Sequence, residues 1–176
     1  MVSVCRHIES SLVFDNKNRV KFCPLYDEGI AQENLNGLRL DIDVILEKRA
    51  EFTANPPVNC SKCRFFEKHR RRLRAEENII QRLYIADWHC CWVNCIYCSC
   101  PKQENLPEAG HYNIFPFIET LTDKKFITKK TKVIFECGDA CAHPEFDKIM
   151  FYLLNNDFKD IEVNTPAQRF SDSIAQ

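Results

Sequence analysis

Between residues 89 and 100 the chain reads HCCWVNCIYCSC, with five cysteines in twelve positions. Cys91, Cys95 and Cys98 stand at C-x3-C-x2-C spacing, and an aromatic residue, Tyr97, precedes the last of them. Three thiolates from one short loop can hold three irons of a cubane cluster and leave the fourth iron open to a small molecule. A structural site would instead close its shell with four protein ligands, as a zinc ribbon does with two C-x2-C knuckles. The spacing therefore points to a four-iron, four-sulfur (4Fe-4S) centre at Cys91, Cys95 and Cys98 with one position free for chemistry. A zinc knuckle and a group of unliganded thiols are the alternatives. Cys90 and Cys100 fall outside the spacing and read as bystanders, and His89 as a surface group or one that supports a ligand.

A second constellation lies upstream. Cys5, Cys23, Cys60 and Cys63 combine two separated cysteines with a C-x2-C pair. A hairpin turn between Cys5 and Cys23 can bring those two together, and the pair can complete a tetrahedral set. Four ligands would close such a site. Spacing alone does not separate zinc from an auxiliary iron-sulfur cluster, and unliganded packing is the third reading.

The elements that would position these residues follow from periodicity and turn chemistry. Residues 4–14 and 19–22 read as two strands around the turn DNKN, a hairpin. Ile42, Ile45, Leu46 and Phe52 share a helical face between residues 41 and 55, and Pro56 and Pro57 stop that helix. A second helix is expected over 65–78, carrying KHRRRLRAEE. The pattern then alternates: a strand at 79–88, the cysteine loop, a helix near 114–121, a strand at 132–135, a helix over 143–155 and a strand at 161–164. Strands separated by helices predict right-handed crossovers and a parallel sheet. The chain is expected to divide near Asn78 into a small α+β cysteine-rich domain, 1–78, and an α/β domain, 79–176.

Composition sets the outer bounds. Apolar residues make up 45% of the chain, thirteen of them Phe, against four Gly, which fits a packed globule. The first ten residues lack the apolar stretch of a signal peptide, and no run of eighteen apolar residues suits a membrane span. A cytoplasmic chain is expected, in which eleven cysteines read as metal or cluster ligands rather than disulfides. The formal net charge of -1 exerts no general pull on nucleic acid. The run KHRRRLR is followed by Glu76 and Glu77 without interleaved aromatic residues, so it reads as a solvated helix face.

CWVNCIYC after a strand resembles the signature of the radical S-adenosylmethionine (radical SAM) superfamily. The downstream segment VIFECGDACAHPEFDKI is similar to that family's next strand, which ends in Gly-Gly-Glu and is followed by Pro and HPEF; Cys137, Gly138 and Asp139 occupy the motif. EVNTPA resembles the third strand. The resemblance spans about residues 79–166. It implies a 4Fe-4S cluster on Cys91, Cys95 and Cys98 whose free iron chelates S-adenosylmethionine, with Tyr97 near the adenine and Gly138 and Asp139 at the cofactor. It further implies reductive cleavage to a 5′-deoxyadenosyl radical that abstracts hydrogen from a small-molecule or peptide substrate, with an electron donor such as ferredoxin or flavodoxin.

The chain departs from the family pattern in three respects. Cys137-Gly138-Asp139 lacks one glycine that would allow close backbone approach and carries a carboxylate one methylene shorter. Trp92 stands where Asn is usual, with Asn94 before Cys95. The family barrel has roughly six βα units and this chain holds three, so the fold expected is a partial parallel (βα) barrel, the N-terminal part of a larger one. The alternative function is a non-catalytic iron-sulfur or zinc-binding module; a zinc-supported nucleic-acid binder using KHRRRLR is a third. His143, before Pro144, is expected to cap or pack, and Cys137 and Cys141 to fill space as small thiols.

Overall fold

A computed structural model describes residues 4–15, 19–24, 30–31, 42–56, 60, 63, 66–67, 80–88, 91, 93, 95–98 and 114–166. In chain order its elements are β1 (Val4–Cys5), α1 (Arg6–Ser10), β2 (Ser11–Asp15), β3 (Arg19–Lys21), β4 (Ile30–Ala31), α2 (Ile42–Ala54), β5 (Phe66–Glu67), β6 (Arg82–Ala86), α3 (Phe115–Asp123), β7 (Lys132–Phe135), α4 (Phe146–Asn155) and β8 (Ile161–Val163).

Period-two alternation is seen in β6, whereas its neighbours β2 and β7 are nearly continuously buried. In β6, Leu83 and Ile85 are buried while Arg82 and Tyr84 are half-buried, as expected when successive side chains leave opposite faces. Parallel pairing aligns Leu83 with Val133 of β7, and Val133 with Ile161 of β8. The expected parallel sheet over these three strands is therefore present. It extends further than the sequence suggested, because β2 also pairs in parallel with β6, setting Leu12 beside Leu83 and Phe14 beside Ile85. The hairpin at DNKN is present as antiparallel β2 and β3, with Phe14 opposite Val20. With β4 on the outer edge, the sheet runs β4-β3-β2-β6-β7-β8, and β1 pairs with β5 in a separate two-stranded ribbon.

Two expectations need correction here. Residues 4–14 are not one strand: Arg6–Ser10 form a short helix between β1 and β2. Cys5, Ile8 and Leu12 are all buried, and their spacing of three and four is helical rather than alternating. The boundary near Asn78 does not separate two sheets either, since β2 and β6 lie side by side across it. Of the helix expected over 65–78, Phe66–Glu67 is strand; residues 68–78, and with them KHRRRLR, lie outside the described residues.

The sheet carries its helices on one face. Phe14, Ile85 and Phe135 share a side through the pairing register, and that side meets α3 and α4. Phe117 of α3 packs edge-on against Phe14 at 4.6 Å between ring centres, and Phe146 of α4 against Phe135 at 5.0 Å. Edge-to-face aromatic pairs at this separation add attraction beyond area burial. Ile45 of α2 joins the same core, and Arg49 of α2 reaches the Ser11 carbonyl at 3.1 Å. Both described crossovers, β6-α3-β7 and β7-α4-β8, thus stack on one side with sequential strand order. In doubly wound sheets helices cover both faces; here the described helices cover one.

The turns between elements explain the HPEF segment. The Glu145 carboxylate accepts from the backbone N–H groups of Ile114 and Phe115 at 2.9 and 3.3 Å, satisfying donors at the start of α3. His143 Nδ1 accepts from the Glu145 N–H at 2.9 Å, just ahead of α4. One tetrapeptide so fixes the start of two helices. α4 begins at Phe146 without a side-chain cap, and of the two roles expected of His143, capping or packing, the structure shows packing: the ring is buried against Trp88.

Candidate functional site

In a parallel sheet the loops beyond the carboxyl ends of the strands are where ligands bind, because several chain segments converge there with unpaired backbone groups. The cysteine loop follows β6 at that edge. Cys91, Cys95 and Cys98 are all exposed, and the Cys98 N–H donates to the Cys95 carbonyl at 3.2 Å, closing a turn over the C-x2-C pair. Ile96 and Tyr97 at the tip of this turn are 85% and 92% exposed. Two large apolar side chains side by side in water are unusual unless something covers them. As the side chains stand, no group of three or more His, Cys, Asp or Glu among the described residues is arranged to hold a metal ion. Holding a cluster therefore requires the loop thiols to turn toward one another. Cys90, Cys100, His89, Trp92 and Asn94 lie outside the described residues.

The same edge of β7 carries Cys137, Gly138 and Asp139. Cys137 has φ 67° and Gly138 φ 81°, both left-handed. Glycine adopts this conformation freely, whereas a side chain at Cys137 crowds the backbone. Asp139 is fully buried. Its Oδ1 accepts from the Cys141 N–H at 3.2 Å and from the Thr165 hydroxyl, so the carboxylate ties the end of β7 to the segment after β8. Its Oδ2 is buried and accepts nothing among the described residues.

Sequence reasoning missed Asp87. It directly follows β6, is buried, and its Oδ2 meets Nε2 of His143 at 3.1 Å. Because His143 Nδ1 accepts from the Glu145 N–H, the ring proton sits on Nε2 and is donated to Asp87. Asp87 Oδ1 has no partner among the described residues. Two neighbouring parallel strands are therefore each followed by a buried carboxylate with one oxygen that has no partner among the described residues. Only a polar residue following an apolar strand run marked Asp87 in the sequence.

The face of the sheet away from the helices mixes buried apolar residues, Val13 and Ile134, with polar ones. Tyr84, Glu136 and Glu162 lie on it, and Lys132 meets Glu162 at 2.6 Å. Desolvation, reinforced by the charge of Glu162 and opposed by Lys21, pushes the Glu136 carboxyl above its ordinary value. Burial likewise pushes the Tyr84 phenol up.

Cys5 is buried, Cys23, Cys60 and Cys63 are half-buried, and the Cys63 N–H donates to the Cys60 carbonyl at 3.0 Å. No family model, curated protein or solved structure matches the chain. Among the described residues, no helix is long and apolar enough to cross a membrane.

Proposed function

We propose that the chain is radical SAM-like, using Cys91, Cys95 and Cys98 to bind a 4Fe-4S cluster and the adjoining strand ends to bind S-adenosylmethionine, for hydrogen abstraction from an organic substrate. The observation that carries this reading is the location of three exposed thiols on the loop after β6, beside two strand ends whose buried carboxylates each have an oxygen without a partner among the described residues. The bound cluster would supply the electron that cleaves the sulfonium, and the radical chemistry belongs to that cofactor pair.

The chain's own residues have simpler tasks. Three thiolates would leave one metal position open. Asp139 Oδ2 offers an acceptor suited to an ammonium group, and a donor there would relieve an oxygen that now lacks one. The exposed faces of Ile96 and Tyr97 suit an adenine, which would cover apolar area otherwise in contact with water. Tyr84, Glu136 and Glu162, on the face away from α3 and α4, would offer polar groups on the substrate side of a partial barrel. Two features differ from the family pattern: Asp139 Oδ1 is committed to Thr165 and Cys141, and β2 precedes β6 in the parallel set, so the cysteine loop follows the second strand.

The reading is tested by anaerobic reconstitution with iron and sulfide, then reduction in the presence of S-adenosylmethionine. The expected result is visible absorbance that depends on Cys91, Cys95 and Cys98, with release of 5′-deoxyadenosine and methionine. Absorbance without cleavage would favour the non-catalytic iron-sulfur module. A spectrum and iron content unchanged by replacing all three cysteines with Ala would overturn both.

A further inference from the structure

We infer that His143 and Glu145 are positioning residues for the cysteine loop: a single turn after β7 grips the chain on both sides of Cys91, Cys95 and Cys98 and fixes the footing from which those thiols bind metal. This role presupposes that the loop holds an iron-sulfur cluster, catalytic or not, and it belongs to residues outside the ligand set.

On the upstream side, Oδ2 of Asp87 meets Nε2 of His143 at 3.1 Å, four residues before Cys91. Trp88, one residue closer to the cysteines, packs edge-on against the same ring. On the downstream side, the Glu145 carboxylate accepts from the Ile114 and Phe115 N–H groups at 2.9 and 3.3 Å. The two anchors are themselves joined, because His143 Nδ1 accepts from the Glu145 N–H at 2.9 Å. Two residues of chain span at most about 7 Å, so both ends of the segment between Asp87 and Ile114 are held at one place. That place is rooted in the sheet. The His143 N–H donates to the Ala140 carbonyl at 3.1 Å, the Ala140 N–H donates to the Asn164 carbonyl beyond β8 at 3.3 Å, and Phe146, next after Glu145, packs on Phe135 of β7.

A cluster requires its thiolates at fixed separations, and gathering them from a segment with loose ends costs conformational entropy that rises with the length between fixed points. Clamping both ends to the sheet places part of that cost in folding instead of in metal binding. Asp87 and His143 are each only 4% exposed, so water does not compete for their hydrogen bond, which is correspondingly stronger. The Glu145 N–H holds the imidazole in the form that donates from Nε2 to Asp87. Removing buried groups that orient metal ligands without touching the metal typically lowers affinity or activity roughly 10–100-fold.

The test compares the full chain with variants carrying His143→Ala, Glu145→Ala, Glu145→Gln or Leu153→Ala, each reconstituted anaerobically with iron and sulfide. Leu153 is fully buried in α4, and its side chain takes part in none of these hydrogen bonds; its truncation lowers fold stability through a cavity alone. Iron release to a chelator, measured well below each melting temperature, should be about tenfold or more faster in His143→Ala and Glu145→Ala than in the parent. The electron paramagnetic resonance spectrum of their reduced clusters should shift or broaden. Glu145→Gln keeps an acceptor oxygen for the Ile114 and Phe115 N–H groups and should restore both readouts, while Leu153→Ala should match the parent although it melts lower. Parent-like release from His143→Ala and Glu145→Ala, or release from Leu153→Ala as fast as theirs, would overturn the positioning role and leave the cluster reading standing. A parent chain that takes up no iron at Cys91, Cys95 and Cys98 would instead remove that reading, and the positioning role with it.

Discussion

His143 and Asp87, 56 residues apart, meet inside the protein: Nε2 of the histidine lies 3.1 Å from Oδ2 of the aspartate. The contact joins the end of β6, where the cysteine loop begins, to the turn before α4. Trp88, next in the chain, also packs edge-on against the His143 ring at 5.8 Å. Through Glu145, which accepts from the Ile114 and Phe115 N–H groups, the same turn fixes the start of α3. The exit of β6 and the starts of α3 and α4 are thus held by neighbouring residues. This junction sets where the cysteine loop leaves the sheet.

Replacing His143 with Ala should cost about 2–3 kcal/mol, because it strands a buried carboxylate that has no other partner among the described residues. Combining it with Asp87→Ala should cost less than the sum of the two single changes, since the second change removes the group that the first left unpaired. Urea denaturation of the parent, both single variants and the double variant measures this. Strict additivity would mean that the contact contributes nothing to stability.

Local pattern made some of this architecture legible before the structure. The strand at 132–135 appears over those residues, and the helix expected over 41–55 occupies Ile42–Ala54. The first is a short apolar run and the second is stopped by Pro56 and Pro57. The pairing of β2 with β6 was not legible, because parallel partners separated by some seventy residues leave no local mark in either strand. Its omission produced the misplaced division near Asn78. At the site, the order of strand and cysteine loop could be read, and so could the packing of His143. The partner of Glu145 could not, since the donors it caps belong to a different helix. Nor could the burial of Asp139, which depends on Thr165 reaching back from the end of β8.

Glu136 gives the face away from α3 and α4 a measurable pH signature. Burial first, and then the charge of Glu162, raise its carboxyl above the ordinary 4.5. The folded state therefore holds a proton that the unfolded state has released, across the interval between 4.5 and the raised value. Stability contributed by this group falls as pH rises through that interval, and the penalty is constant above it. Glu136→Gln should consequently raise the melting temperature at neutral pH, with the advantage shrinking as pH is lowered through that interval toward 4.5. An advantage that grew on acidification would show that the carboxylate is stabilised by the fold instead.

Cys137 provides the sharpest link between backbone conformation and the strand-end motif. Its φ of 67° is one that glycine adopts freely and that a residue with a β-carbon adopts at a cost. Relief of that cost is partly offset by the greater freedom of glycine in the unfolded chain. Cys137→Gly should therefore stabilise by about 0.5–1 kcal/mol. Cys137→Ala keeps the crowded β-carbon and loses the sulfur, so it should be neutral or destabilising. Gly138→Ala, at φ 81°, should destabilise by about 1 kcal/mol or more. Thermal unfolding of the three variants separates the backbone contribution from that of the thiol: glycine above parent and alanine at or below it assigns the strain to the backbone. If glycine and alanine instead destabilise equally at position 137, the thiol's own contacts outweigh the conformational cost.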